Sequence, residues 1–218
     1  MKRREFSSLA MGLGVAGLGL ASPVARAQGA AVPVEGKNYV RLSQPQPTLA
    51  PPGKIEVVEF FWYGCPHCFH FDPTLQAWVA KLPADVTFRR VHVGFQGIHK
   101  IHQRLFYALE IMGREAELHG KIFNAIHVQR NMLDKPETIA DFVAANGIDR
   151  TKFLEVFNSF GAQTRCQQAS RLVEGYKIDG VPTMGVAGRY FTEGSLAGTN
   201  EAALQIVDFL LDRIRKGH

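Results

Sequence analysis

Two cysteines separated by two residues, Cys65 and Cys68, constrain this chain more than any other feature. An apolar run over residues 55–61 precedes them and predicts a strand covered on both faces. An amphipathic run over residues 69–82 follows and predicts a helix. Cys65 is then expected at the N-cap and Pro66 at the first helical position, where its missing N–H is not needed. A C-x-x-C pair where a strand leads into a helix is typical of a redox-active dithiol.

The start of a helix makes the two sulfurs unequal. Free backbone N–H groups and roughly half a positive charge of the helix dipole face Cys65 and favour its thiolate. We therefore expect Cys65 to be the exposed nucleophile and Cys68 to be the buried resolving thiol. His67 can donate a hydrogen bond to the Cys65 sulfur or carry positive charge beside it. Each unit by which the pKa of Cys65 falls makes the disulfide easier to reduce by about 30 mV.

The surrounding motif reads Phe60-Phe61-x-x-Gly64-Cys65-Pro66-His67-Cys68, with Glu59 before it and Phe71 after it. It closely resembles the motif of the DsbA family of periplasmic thiol:disulfide oxidases, and the resemblance runs from about Lys37 to the C-terminal helix. It implies an α/β chain with a thioredoxin fold and an inserted all-helical domain. The implied activity is donation of the Cys65–Cys68 disulfide to newly exported proteins with paired cysteines.

The resemblance also implies partners. A DsbB-like quinone reductase of the inner membrane would reoxidise the dithiol, and the protein would act as a monomer. No cofactor or metal is expected, because the cysteine pair is itself the redox centre.

Glu59 is an acidic residue in an otherwise apolar strand. By the two-residue period of a strand it shares a face with Val57 and Phe61. Burial there would raise its pKa and let it exchange a proton with Cys68. A strand-end carboxylate that reaches water is the alternative, and the resemblance favours the buried acid.

A proline at position 182 begins the return of the chain to the sheet. The sequence alone does not decide the isomer of the Val181–Pro182 bond, and the resemblance implies a cis-proline opposite the cysteine pair. Its role would be to leave the Val181 backbone free to pair with a substrate chain beside Cys65. We expect an apolar substrate-binding surface, with core packing as the alternative explanation, at Trp62, Tyr63, Val181 and Met184.

Residues 1–27 have the pattern of a cleaved export signal. A basic start is followed by an apolar run over residues 9–20, which is too short to span a bilayer, and Ala25-Arg26-Ala27 fits a cleavage site. A membrane anchor is the alternative. Arg3-Arg4-x-Phe6 partly matches a twin-arginine signal, so the export route stays open between Sec and twin-arginine. Either route leads to the periplasm, where a disulfide can persist.

The net charge gives no reason to expect nucleic acid as a partner. The whole chain carries a formal charge of +5. Residues 1–27 hold four basic residues and one acidic residue, which leaves 21 basic and 19 acidic residues, a charge of +2, in the remainder.

The rest of the chain divides by its hydrophobic periodicity. We expect a thioredoxin-like domain from residues 28–96 and 175–218 and a helical insertion over residues 97–174, which is too long for a loop. The elements expected are strands at 38–42 and 86–93, helices at 98–112, 136–145, 150–160 and 162–174, a hairpin at 184–191 and a final helix at 200–214.

Other polar residues are given structural roles. Asp72 is expected to be a solvated acid in the first turns of its helix, without a catalytic role. Cys166 is expected to be a small buried residue, with a reactive thiol as the alternative. Solvated or capping roles, rather than metal binding, are expected for His99, His102, His119 and His127.

Four other functions are alternatives to a disulfide donor. An isomerase of the DsbC type needs an N-terminal dimerisation domain, for which the stretch from Gln28 to Lys54 is too short. A reductase needs a less stabilised thiolate, and His67 argues against that. A zinc module needs more ligands than one C-x-x-C supplies. A holdase that binds unfolded chains without redox chemistry is the remaining alternative, and it would not need Cys65.

Overall fold

The computed structural model describes residues 32–217. The predicted export signal, its cleavage site and the twin-arginine match lie outside these residues. Across the described part of the chain, no helix combines the length and the apolar character needed to cross a bilayer.

The described residues form a mixed sheet whose centre is a buried strand. Its strands are β1 (Val40–Arg41), β2 (Ile55–Phe61), β3 (Val86–His92), β4 (Thr183–Val186) and β5 (Tyr190–Glu193). Their spatial order is β1-β5-β4-β2-β3. Strand β2 is parallel to β3 and antiparallel to β4, and its residues are almost completely buried from Glu56 onward. This burial agrees with the continuous apolar run in the sequence.

Helices cover both faces of this sheet. They are α1 (Pro66–Val79), α2 (Ile98–Ile111), α3 (Glu115–His127), α4 (Pro136–Ala145), α5 (Arg150–Phe157), α6 (Phe160–Tyr176), α7 (Gly194–Ala197) and α8 (Asn200–Arg215). One apolar cluster joins α1 and α8 to β2 through Phe71, Leu75 and Val207. A second, larger cluster packs helices α2 to α6 against the sheet, for example through Phe60 and Tyr176. The helices between β3 and β4 thus share one core with the strands.

Side-chain caps mark the N-termini of four of the eight helices in the described part of the chain, namely α1, α5, α6 and α8. Asp149 accepts a hydrogen bond from Lys152 N at 2.7 Å, and Ser159 accepts one from Ala162 N at 3.1 Å. The helix expected to continue to residue 160 therefore ends at Phe157, because Ser159 starts a new helix and places Gly161 inside it. The sequence pattern predicts neither α3 nor the four-residue α7. The N-cap of α3 makes no side-chain hydrogen bond that would mark the start of that helix.

The turn between β4 and β5 depends on Gly188. Its φ is +65°, and an added Cβ would collide with the carbonyl oxygen of Gln46. Gly113 has a similar φ of +68°, with open space around it. Substitutions at these two glycines therefore distinguish the cost of a positive φ from the cost of a steric clash.

We expect Gly113→Ala to lower the free energy of unfolding by about 1 kcal/mol, the cost of a left-handed alanine. Gly188→Ala should cost roughly 1–3 kcal/mol more, because the methyl group also overlaps packed backbone. Urea unfolding of the two variants measures both values. Equal losses would show that the contact with Gln46 does not constrain the turn.

Candidate active site

The two cysteines lie at the start of α1, and Cys65 is its N-cap. The backbone of Cys65 is extended, with φ −83° and ψ 116°, and Pro66 begins the helix. The Cys65 sulfur accepts a hydrogen bond from Cys68 N at 3.3 Å. Both sulfurs are free thiols. The helix therefore directs an unused backbone donor at the first sulfur.

Cys65 is less accessible than we expected from the sequence. Its exposed fraction is only 6%, against 0% for Cys68. The expectation of an exposed nucleophile is corrected, because the Val181 carbonyl lies over the sulfur, at 3.5 Å from Cys65 Sγ. Cys65 is still the more accessible of the two cysteines, because Cys68 is fully buried. The part of the Cys65 sulfur that stays accessible is therefore bordered by the Val181 carbonyl.

The two thiols differ widely in acidity. The hydrogen bond from the Cys68 thiol lowers the pKa of Cys65 to about 6, with smaller contributions from the N–H groups of Cys68 and His67 and from the charge of His67. Burial raises the pKa of Cys68 well above its ordinary value, and the hydrogen bond with Cys65 adds to this. At neutral pH the first sulfur is a thiolate and the second is a thiol.

The loop before β4 forms the other side of the site. The Val181–Pro182 peptide bond is cis. Both residues line a cavity of about 520 Å³ together with His67, whose side chain is exposed. The cavity therefore adjoins the first turn of α1 through His67.

The apolar surface expected beside the cysteines is only partly present. Tyr63 and Met184 are 0% and 1% exposed, so their assignment to a substrate-binding surface is wrong. The Tyr63 ring instead packs edge-on against Phe61 and Phe123. Trp62 is half-buried, and its indole stacks on the His99 ring at 3.9 Å. Core packing, the alternative explanation, accounts for Tyr63 and Met184.

Glu59 lies on β2 and is 1% exposed. Burial raises its pKa to about 7, although the charge of Arg90 opposes this shift. The Arg90 guanidinium donates to Glu59 Oε2 at 3.0 Å. The charge of Glu59 in turn contributes to the raised pKa of Cys68. Glu59 is therefore a buried acid that can gain or lose a proton near neutral pH.

Asp72 is not the solvated acid that we expected. It is 7% exposed, and it accepts hydrogen bonds from Arg90 Nη2 at 2.8 Å and from Gln76 Nε2 at 2.5 Å. Burial alone would raise its pKa, but the hydrogen bond with His119 and the charges of His119 and Arg90 lower it. This side of α1 faces the charged middle of β3, which explains why the carboxylate is buried.

The histidines also depart from the solvated roles that we expected. His102 and His119 are 0% and 3% exposed, so a solvated role is wrong for both. His102 accepts a hydrogen bond from the Trp62 indole at 3.0 Å. His127 is half-buried and lies 2.7 Å from the Tyr63 carbonyl oxygen. Between residues 32 and 217, no three or more of the histidines, cysteines and acids are grouped to hold a metal ion.

Cys166 lies on α6, half-buried. Burial raises its pKa to about 11, which keeps it a thiol at neutral pH. This favours the structural role over the reactive one.

Sequence reasoning missed Arg90, although a signal was present. Strands β2 and β3 are parallel and in register, with Ile55 opposite Val86 and Glu59 opposite Arg90. Each of these two charges is the fifth residue of its strand. Opposite charges at equal positions of neighbouring strands therefore indicated a buried ion pair.

A dithiol at a helix start, a cis-proline beside it and a mixed sheet behind it define a thiol:disulfide exchange protein with a thioredoxin fold. Residues 56–202 match the family model described as the DSBA-like thioredoxin domain. The chain belongs to the DsbA family.

Relatives of known name support this assignment. The thiol:disulfide interchange protein DsbA of Burkholderia cepacia is 42% identical over 214 residues, which cover 98% of each chain. That of Pseudomonas aeruginosa is 47% identical over 180 residues, covering 83% of this chain and 85% of the relative.

Solved structures agree. The crystal structure of Pseudomonas aeruginosa DsbA has a TM-score of 0.80 at 46% identity and covers 84% of this chain and 95% of its own. That of the oxidoreductase DsbA from Xylella fastidiosa has a TM-score of 0.80 at 36% identity, covering 85% and 99%. The predicted fold, a thioredoxin fold with a helical insertion, is confirmed, as is the predicted enzyme class, a DsbA-like thiol:disulfide oxidoreductase acting on proteins with cysteines.

We expect alkylation of the reduced protein by iodoacetamide to follow a midpoint near pH 6, because the reagent reacts with the Cys65 thiolate. Cys68→Ala should move this midpoint toward the ordinary value for cysteine, since it removes the thiol that donates to Cys65. Mass spectrometry of the modified protein against pH measures both midpoints. Both proteins should carry Cys166→Ser to remove background, and a wild-type midpoint near pH 9 would contradict the geometry of the site.

Proposed function

We propose that this protein oxidises pairs of cysteines in newly exported proteins by giving up its Cys65–Cys68 disulfide. The observation that carries the proposal is the unequal pair at the start of α1. Cys65 receives hydrogen bonds as a thiolate, and Cys68 is enclosed as a thiol. A scaffold that stabilises the reduced pair favours transfer of the disulfide to another protein.

The size of this preference follows from the acidity of Cys65. Lowering its pKa from 9.0 to about 6 stabilises the folded, reduced protein once the pH rises above 6, and the gain is complete above pH 9. At pH 7 the gain is about 1.4 kcal/mol, and above pH 9 it reaches roughly 4 kcal/mol. For a two-electron couple these values correspond to about 30 mV and roughly 90 mV. The preference for the dithiol therefore grows with pH.

In the first step, a substrate thiolate attacks the Cys65 sulfur of the oxidised protein. A bond forms between the substrate sulfur and Cys65, and the Cys65–Cys68 bond breaks. Cys68 leaves with the electron pair and takes a proton from Glu59, because its raised pKa makes a free thiolate unfavourable. Glu59 is suited to this role, since its pKa of about 7 lets it hold a proton near neutrality.

In the second step, another substrate thiolate attacks the substrate sulfur of the mixed disulfide. Cys65 leaves as a thiolate and needs no proton at neutral pH. The substrate has lost two electrons and two protons. The protein has gained both electrons and one proton, and the other proton passes to solvent. Regeneration of Glu59 completes the cycle.

The cis-proline loop receives the substrate in this scheme. The Val181 carbonyl is adjacent to the Cys65 sulfur, and Pro182 offers no N–H that would compete for a substrate carbonyl. The Val181 backbone pairs with the extended chain that carries the attacking cysteine. The His67 side chain lines the same cavity and adds positive charge beside the thiolate.

The cellular setting completes the proposal. Residues 1–27 direct the chain to the periplasm and are cleaved, and a DsbB-like quinone reductase of the inner membrane reoxidises the dithiol. The protein acts as a monomer. Residues 28–96 and 175–218 form the thioredoxin-like domain, and residues 97–174 form the helical insertion. The family relationship and the export pattern of the first residues support this setting.

Oxidation of a reduced peptide with two cysteines should stop completely in Cys65→Ser, because no disulfide can form in that variant. Cys166→Ser should keep the wild-type rate, since that thiol lies outside the pair. Mass spectrometry of the peptide measures the rate of oxidation. If Cys65→Ser retained full activity in promoting substrate folding, a holdase would replace the oxidase; a strongly reducing midpoint against glutathione would instead indicate a reductase.

The free energy of unfolding of the reduced protein should depend on pH through Cys65. Its pKa in the folded state lies below that in the unfolded state, so the stabilisation is complete above pH 9 and is lost as pH falls to 6. The slope should approach about 1.4 kcal/mol per pH unit in this window. Urea unfolding in reductant, compared with Cys65→Ser, isolates the contribution, and parallel curves for the two proteins would contradict it.

A further inference from the structure

One buried titratable group has no part in the scheme above. His119 lies on α3, one of the helices between β3 and β4, and is 3% exposed. Its Nε2 lies 3.1 Å from Asp72 Oδ1 on α1. Its Nδ1 lies 3.0 Å from Glu115 Oε1 on its own helix. Both ring nitrogens therefore face carboxylate oxygens.

This arrangement is matched by an imidazolium, which carries two N–H donors, whereas a neutral ring carries one. The buried Glu115 Oε1 has no hydrogen-bond partner in the described chain, because its close contact with Nδ1 lacks hydrogen-bond geometry; a charged ring at this distance offsets the charge of the carboxylate. Burial disfavours the charged ring, but the hydrogen bond with Asp72 and the contact with Glu115 outweigh burial and raise the pKa of His119.

The remaining neighbours of the ring are accounted for. Nδ1 is hydrogen-bonded to Tyr63 Oη at 3.3 Å, and this hydroxyl can accept the N–H of a charged ring; the aromatic rings of Phe61 and Phe123 pack around the imidazole. On β3, His92 is fully buried, and burial lowers its pKa well below its ordinary value, so it is neutral. The charged groups around His119 are thus Asp72, Glu115, Arg90 and Glu59.

A chain of contacts links His119 to the active-site acid. Asp72 Oδ1 contacts both His119 and Arg90, and the same guanidinium donates to Glu59. These groups come from α3, α1, β3 and β2 in turn. His119 is therefore separated from Glu59 only by Asp72 and Arg90.

Counting charges shows what the imidazolium contributes. With His119 charged, the cations His119 and Arg90 balance Asp72 and Glu115 when Glu59 is protonated. Ionisation of Glu59 then gives the cluster one net negative charge. Without the imidazolium, the same ionisation would give two, which costs more in a buried site.

We propose that His119 is a positioning residue for the exchange reaction. As an imidazolium held between Asp72 and Glu115, it orders the Asp72–Arg90–Glu59 chain and favours the ionised form of Glu59. This inference rests on the proposed function of Glu59 as the proton donor and acceptor of Cys68. It assigns to the helical segment between β3 and β4 a direct influence on proton transfer at the cysteine pair.

The test follows the protonated carboxyl of Glu59 by its infrared C=O band in the reduced, full-length protein as the pH is raised. Glu59→Gln identifies the band. The wild-type midpoint should lie near pH 7, and His119→Gln should raise it by about one unit. His119→Lys, which restores a cation, should bring the midpoint back toward the wild-type value. His102→Gln removes another buried histidine outside this chain of contacts and should leave the midpoint unchanged.

The pH dependence of the exchange rate should shift together with the midpoint of the infrared band. The rate constant for attack on the oxidised protein, expressed per peptide thiolate, should fall as the pH rises and Glu59 loses its proton. In His119→Gln this fall should lie about one pH unit higher. An unshifted band and rate profile in His119→Gln, with the band absent in Glu59→Gln, would overturn the inference and leave the proposed function intact. A band that persists in Glu59→Gln together with an unchanged rate profile would remove the proton-transfer role of Glu59 itself.

A measurement on the unchanged protein covers the case in which His119→Gln does not fold. Nitrogen-15 NMR of the His119 ring should show both nitrogens protonated at pH 7. A neutral ring at that pH would overturn the inference, because the cation that it requires would be absent.

Discussion

The hydrogen bonds that converge on the Cys65 sulfur are the constraint on which the rest of this structure depends. They exist because a strand delivers the cysteine to the first position of a helix, where backbone donors have no helical partner. The second cysteine, one turn later, adds its own donor and is sealed from water by the same turn. One short sequence motif thus sets both the nucleophile and its acidity.

Burial of charge is the second theme of the site. Isolated charges beneath the cysteines would be very unfavourable, and the structure instead pairs them across β2, β3 and α1. A carboxyl beside such partners can lose or gain a proton, because its negative charge lies next to a positive one. The paired cluster therefore holds, in a buried site, a carboxyl whose pKa is about 7.

The sequence predicted most of the local features and few of the long-range ones. Strand β2 and helix α4 were predicted with their observed bounds, because an apolar run and paired end signals are local. Asp72 and His119 were misjudged because their partners come from other elements, and only the folded chain brings those elements together. Tyr63 was misjudged for the same reason, since its ring is buried by residues of α3.

The order of the sheet has a consequence for a protein that handles unfolded chains. Its outer strands are β1, which is two residues long, and β3, which carries Arg89 and Arg90. Very short and charged edges resist the lateral addition of foreign strands and so protect against aggregation. Both edges of the sheet therefore disfavour strand addition, and under the proposed function this leaves the loop beside Cys65 as the place where an extended polypeptide binds.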